Sequence, residues 1–413
     1  MASIARREFL RDTMLVAGGA LLAQRVALAG TAGETRLVLV ILRGALDGLT
    51  AVPPYADADY VRLRQGLALP APGTAQGALR LDGLFGLHPS LAFLHESFAA
   101  RELVVFHAVA SPYRERSHFD GQDVLENGTV RPHSIETGWM NRALAAATQE
   151  GARGSRELGV ALGQNVPLVM RGRAQVASWS PSRLAALDEE TLQRITELYA
   201  SAGDAVLSQR FADALAADAI AGSAGGDAQM AAAPSSRAGG GAARYSEIVR
   251  AAGGFLAHEN GPRVAVFDTA GWDTHANEGG AQGQLAQRLS GLDAGLRTLK
   301  QQLGSTWTRT AVLMVTEFGR TAAANGTRGT DHGTATCAFL VGGAVNGGRV
   351  VADWPGLSER ALYQRRDLAP TLDLRSVLKG VLLEHLGVPA RALDGEVFPE
   401  SAAARPLVGL MRS

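Results

Sequence analysis

The chain has almost no cysteine. Cys337 is the single thiol in 413 residues, so no internal disulfide can form. It sits inside an apolar run, where a thiol behaves as an inert buried residue. Charge of either sign is not in excess: 40 basic and 40 acidic side chains give a formal net charge of +0. Nothing therefore points to nucleic acid, and no polybasic run points to an anionic lipid surface. Long hydrophobic runs are missing too. The run from Met14 to Ala23 is shorter than the ~20 residues a permanent membrane span needs, and no other candidate span exists. There is no GxSxG elbow, P-loop, HExxH, EF-hand loop or GxGxxG, which removes most of the common catalytic and nucleotide-binding alternatives.

What is present begins with a three-part leader. Arg6 and Arg7 precede Phe9 and Leu10, then the apolar run, then Ala27-Leu28-Ala29 as a small-x-small cleavage site before Gly30. This pattern predicts a twin-arginine signal over residues 1–29, passage through the twin-arginine translocase, and a periplasmic mature protein of residues 30–413. Residues of the hydrophobic set make up 46% of the chain, enough for one large α/β domain.

Five apolar, β-branched stretches lie next to polar residues able to bind a metal or an anion. LVLVILR leads to Asp47, and ELVVFHAVA to Ser117 and His118. RVAVFD leads to Asp273 and His275, and TAVLMV to Glu317 and Arg320. Asp331 and His332 come just before the run that ends in CAFLVGG. Short apolar runs separated by helical segments read as buried parallel strands, so a three-layer α/β/α sandwich with a mainly parallel sheet is expected. Loops at the carboxyl ends of such strands share one crevice. His332 precedes its strand, so Thr334–Val341 must run antiparallel to its neighbour if His332 is to reach that crevice. The Gly-, Ala- and Ser-rich stretch from about Ala221 to Arg244 predicts a flexible internal loop.

Each candidate also has a plainer reading. Asp47, in a Gly-flanked turn, suits either an Asx turn or a metal ligand. Asp273 and His275 suit Zn²⁺ or Mn²⁺ better than Ca²⁺, or Asp273 caps the following helix. Arg320 is either a fork for phosphate or sulfate or an ion-pair partner of Glu317. Asp331 is placed to orient the His332 ring. Ser117 is either a helix N-cap or a nucleophile at a helix start. Arg43, Arg114, Arg116 and His88 form a positive rim if they face the crevice, and are ordinary side chains otherwise.

The order of RGALDGL, LHPSL, PYRERSHFDGQD, GWDTHAN, TEFGRT and GTDHG resembles the alkaline phosphatase-like superfamily. Within it, the motif set is similar to that of a bacterial twin-arginine-exported family still classed as a domain of unknown function. The resemblance runs from about Leu37 to Gly387. It implies a metal-dependent hydrolase of a small anionic phosphate or sulfate ester, with Ser117 as nucleophile. One or two divalent ions, Zn²⁺ or Mn²⁺, would assist it. Asp47, Glu317 and Ser117 would surround one ion, and Asp273, His275 and His332 the other, with Arg320, Arg43, His118 and His88 towards substrate. Two departures stand out. The spacing Asp273-Thr274-His275 is tighter than usual. Glu317-Phe318 replaces an Asp-His pair, leaving one imidazole to be supplied by His118 or His88. The alternative expectation is a non-catalytic periplasmic binding or assembly protein on a degenerate hydrolase scaffold.

Overall fold

The apolar run after Thr35 forms β1 (Arg36–Arg43), and its pleat divides its side chains between two cores. Val38, Val40 and Leu42 join one, while Leu37, Leu39 and Ile41 join the other. The computed structural model describes residues 35–149, 158–181, 189–201, 204–223 and 239–412. The expected leader over residues 1–29 lies outside the described residues.

In chain order the main elements after β1 are α1 (Ala92–Ala99), β2 (Leu103–Ala110), α2 (His118–Asn127), α3 (Trp139–Gln149), β3 (Gly159–Leu162) and β4 (Val176–Trp179). Then come α4 (Glu189–Ser201), α5 (Ala205–Ser223), α6 (Gly239–Ala257), β5 (Val264–Ala270), α7 (Gln284–Leu303), β6 (Thr310–Val315) and β7 (Thr336–Val341). The last are β8 (Arg349–Val351), β9 (Leu372–Asp373) and α8 (Leu374–Leu386). Nine strands form one sheet in the order β8-β2-β7-β6-β1-β5-β3-β4, with β9 also paired to β2. Val38, Val40 and Leu42 pack with Leu94 of α1, Phe255 of α6 and Leu289 of α7. On the opposite face Leu37, Leu39 and Ile41 pack with Met140 of α3 and Val377 of α8. Each such aliphatic side chain contributes roughly 1.5–3 kcal/mol on burial. The expected α/β/α sandwich is therefore the observed one.

Strand directions fix where the polar residues meet. β1 is parallel to β5 and β6, and β5 to β3. β7 is antiparallel to both β6 and β2, so its start lies at the edge where the others end. This is the reversal expected for Thr334–Val341, and it brings His332 to the carboxyl ends of β1, β2, β5 and β6. Two departures from expectation concern other segments. β3 and β4 extend the sheet beyond β5 and were not expected. The stretch around 221–244 is helical at both ends, to Ser223 and again from Gly239, while 224–238 lies outside the described residues. Among the described residues, no helix is long and apolar enough to cross a membrane.

Candidate metal centre

Three loops and one helix start converge at this edge. Gly44 follows β1 with φ +121, and a Cβ there would come within 2.7 Å of the Asp273 amide. Glycine is what lets these two loops touch. Ser117 stands at the N-cap of α2 without a side-chain hydrogen bond to the helix, and His118 is its first residue.

The imidazoles of His118, His275 and His332 gather round the Asp273 carboxylate. His118 Nε2 lies 3.3 Å from Asp273 Oδ2. His275 Nε2 and His332 Nε2 lie 3.1 and 3.3 Å from Oδ1. The last two nitrogens are 3.0 Å apart. His118, Asp273 and His332 each offer a ligand atom within 4.8 Å of the other two; His275 joins through Asp273 and His332. Neighbouring ligand atoms of a tetrahedral Zn²⁺ site stand ~3.3 Å apart, and the contacts of Asp273 with the three rings, shared between its two oxygens, are 3.1 to 3.3 Å.

The outer nitrogens determine the protonation. His332 Nδ1 is 2.9 Å from the carbonyl of Arg116, which can only accept, so Nδ1 carries the hydrogen. His118 Nδ1 is 2.8 Å from Glu317 Oε1, and His275 Nδ1 is 3.3 Å from Asp331 Oδ1. Each ring thus turns its Nε2 towards the Asp273 carboxylate, as a lone pair in the neutral ring and as a donor in the imidazolium. A metal ion or a proton among these atoms relieves the repulsion between lone pairs, and the Arg320 guanidinium already lies on Asp273 Oδ1. His118 Nε2 is moreover buried without a hydrogen-bond partner. The Glu317 hydrogen bond holds His118 above its ordinary pKa, against the effect of burial. Burial holds His332 below its ordinary value. Burial would raise Asp273, but the Arg320 hydrogen bond and charge lower it.

Residues 101–396 match the family described as "Protein of unknown function (DUF1501)". The chain belongs to that family. No curated protein matches it. Among solved structures it is similar to "Ps i-CgsB in complex with k-i-k-neocarrahexaose", at 10% identity and a TM-score of 0.37, covering 90% of this chain and 77% of that one. It is also similar to a protein in the alkaline phosphatase superfamily from Vibrio parahaemolyticus, at 12% identity and a TM-score of 0.31, covering 80% and 66%.

The structure gives several expected site residues of this DUF1501 member other partners. Asp47 is not part of the imidazole cluster. It caps the short helix Gly48–Ala51 through Leu49 and Thr50 N–H groups, and its other oxygen pairs with buried Arg64. Glu317 is buried and accepts from Gly44 N, Gln122 and Thr316 as well as His118. It orients an imidazole where a direct ligand was expected. Asp331 orients His275, whereas His332 was its expected partner.

The positive groups also turn inwards. Arg320 donates to Asp273 Oδ1 at 2.5 Å and to Thr330, with its side chain 0% exposed. Arg43 is bound by Asp268, Gln122 and Glu126. His88 is a satisfied core residue: Nε2 meets the Gly280 carbonyl at 3.0 Å, Nδ1 accepts from Ser90 N, and burial lowers its pKa. Of the two histidines, His118 is the one that lies in the cluster. Phe318, which stands where the resemblance has an imidazole, stacks on His118 at 5.0 Å between ring centroids.

One buried group escaped sequence reading. Glu278 accepts from Thr50, Thr274 and Thr330, and lies 3.5 Å from Arg64. Burial, with the Asp47 charge beside it, pushes its pKa up to about 8. Only its position three residues after His275 hinted at a role.

Proposed function

We propose that this protein is a periplasmic, metal-dependent hydrolase of phosphate or sulfate esters, working with one divalent ion held by His118, Asp273, His275 and His332. The observation that carries the reading is the set of three imidazole Nε2 atoms within 3.3 Å of one carboxylate, with every outer nitrogen on an acceptor. The donor set, three nitrogens and one oxygen, fits Zn²⁺ or Mn²⁺ better than Mg²⁺ or Ca²⁺. The second ion implied by the family resemblance has no such support, because Asp47 and Glu317 are committed elsewhere. A bound ion would supply Lewis-acid activation of the ester and of the nucleophile.

The residues of the chain do the rest. Ser117 lies between Arg116, which fixes His332, and His118, and its N–H donates to the Tyr113 hydroxyl at 3.2 Å. Its hydroxyl does not cap α2 but is hydrogen-bonded to Tyr113, and it is the group we assign to attack on the ester. Glu317 and Asp331 hold two imidazoles in the tautomer that presents Nε2. Arg320 holds Asp273 ionised and in place.

Elemental analysis of protein purified from the periplasm tests the centre. The expected result is about one Zn²⁺ or Mn²⁺ per chain, lost in Asp273→Ala and His332→Ala. Equal metal in all three would refute it. A panel of aryl phosphates, phosphodiesters and sulfates tests the reaction, with Ser117→Ala expected to abolish activity while retaining metal. Full activity in that variant would exclude Ser117 as nucleophile. Metal binding without turnover of any ester would favour the non-catalytic binding role.

A further inference from the structure

We propose that Arg366, backed by Arg116, grips the anionic group of the substrate, so that the site selects phosphate or sulfate esters over neutral esters. The inference rests on the proposed ester chemistry at the imidazole cluster and identifies what recognises the ester.

An anion approaching His332 needs a cation that is close and has donors to spare. Arg320 is fully enclosed, and Arg114 donates to the carbonyls of Ser111 and Tyr113. Arg366 differs. One terminal nitrogen donates to the His332 carbonyl at 2.8 Å, the other lies 3.5 Å from Asp367 Oδ1, and the side chain keeps 42% exposure. Arg116 fixes His332 from the other side through its own carbonyl, and its guanidinium is on Asp367 and Gln364. Two guanidinium groups thus share one buried carboxylate, so Arg366 is not fully neutralised by Asp367.

The backbone is built for this placement. Tyr363 and Asp367 exchange backbone hydrogen bonds across a tight turn, and Ala322 N donates to the Arg366 carbonyl. Gln364 and Arg365 have φ values of 52 and 54, and Arg116 has 60. All three are non-glycine residues in the left-handed region. Such conformations are costly, are kept only where surrounding contacts enforce them, and gather at functional sites. Here the enforcing contact is Arg116 to Gln364 Oε1 at 2.7 Å. A planar guanidinium matches two oxygens of a phosphate or sulfate at once, and it has no such match on a neutral carboxylic ester.

The test uses the full-length, metal-loaded protein with three variants: Arg366→Gln, Arg366→Lys, and Arg365→Gln as an exposed neighbour control. Arg366→Gln should retain metal content and circular dichroism. Its KM for an aryl phosphate or sulfate should rise about 10- to 100-fold, the loss expected for one charge-assisted contact, with a smaller change in kcat. Arg366→Lys should recover part of the loss, and Arg365→Gln should match wild type.

Calorimetric titration with inorganic phosphate and sulfate reads the same site without turnover, and Arg366→Gln should weaken that binding by a similar factor. Wild-type binding without hydrolysis, lost in Arg366→Gln, would sink the hydrolase reading and leave the anion site standing. Unchanged anion affinity and KM in a metal-replete Arg366→Gln protein would overturn the inference. So would a wild type that binds neither anion.

Discussion

Asp47→Asn distinguishes a buried counter-ion from a metal ligand. Asp47 Oδ1 accepts from Leu49 N at 3.0 Å and Thr50 N at 3.2 Å, and asparagine keeps an oxygen able to serve as that cap. What disappears is the charge facing Arg64, in a pair whose side chains are 0% and 1% exposed. Leaving a buried cation uncompensated costs about 3–5 kcal/mol. Glu278 reduces that cost. Its carboxyl, 3.5 Å from Arg64, is held protonated partly by Asp47, so a neutral residue 47 lets it ionise as a substitute partner. A net loss of about 2–3 kcal/mol is expected, or roughly 1 M in the urea midpoint at the slope of a large domain.

The pH dependence carries a sign. In wild type the folded pKa of Glu278, about 8, exceeds its unfolded value near 4.5, so its contribution is full below pH 4.5 and is lost as pH rises through 8. The variant lacks that loss. The gap between the two proteins should therefore narrow from pH 5 to pH 8. Urea unfolding at pH 5, 6.5 and 8, with metal content measured on the same samples, checks both parts. Depleted metal with unchanged stability in Asp47→Asn would show that Asp47 is a ligand after all.

Two further substitutions test the support of one imidazole and a buried histidine of the core. Glu317→Gln should leave the fold intact but weaken Zn²⁺ affinity about 10- to 100-fold, because an orienting carboxylate behind a ligating imidazole has that effect; competition with a chelator measures it, and unchanged affinity refutes the orienting role. His107 is buried in β2, with Nε2 on the Val52 carbonyl, and burial pushes its pKa down to about 4. Its contribution is full above the unfolded value near 6.5 and is lost as pH falls towards 4, at about 1.4 kcal/mol per pH unit. His107→Gln should remove that slope from the unfolding free energy, and equal slopes would count against a neutral buried imidazole.

The long strands were legible because each is an apolar run that needs two covered faces. The reversal of β7 followed from chemistry: His332 comes before its run, and only an antiparallel strand brings it to the shared edge. β3 and β4 were not legible. Gly159–Leu162 and Val176–Trp179 are four residues each, too short for a period to show. They become strands by pairing in register, β3 with β5 and β4 with β3. Their stability comes from neighbours that no local pattern reveals.

At the site the sequence identified the right loops but not which atom faces which. Arg64 reaches Asp47 from 17 positions away, and a carboxylate in a glycine-flanked turn looks the same whether it meets a guanidinium or an ion. Asp331 and His332 show the limit most plainly. Adjacency suggested that the acid orients its neighbour's ring, but His332 forms an isolated antiparallel bridge with Arg320, so the backbone there is extended. Side chains of successive extended residues point to opposite sides. Asp331 is therefore turned away from His332 and towards His275, 56 positions earlier, while His332 takes the Arg116 carbonyl on the far side. The extended geometry that separates the neighbours is what gives each imidazole its own acceptor and brings both Nε2 atoms onto Asp273.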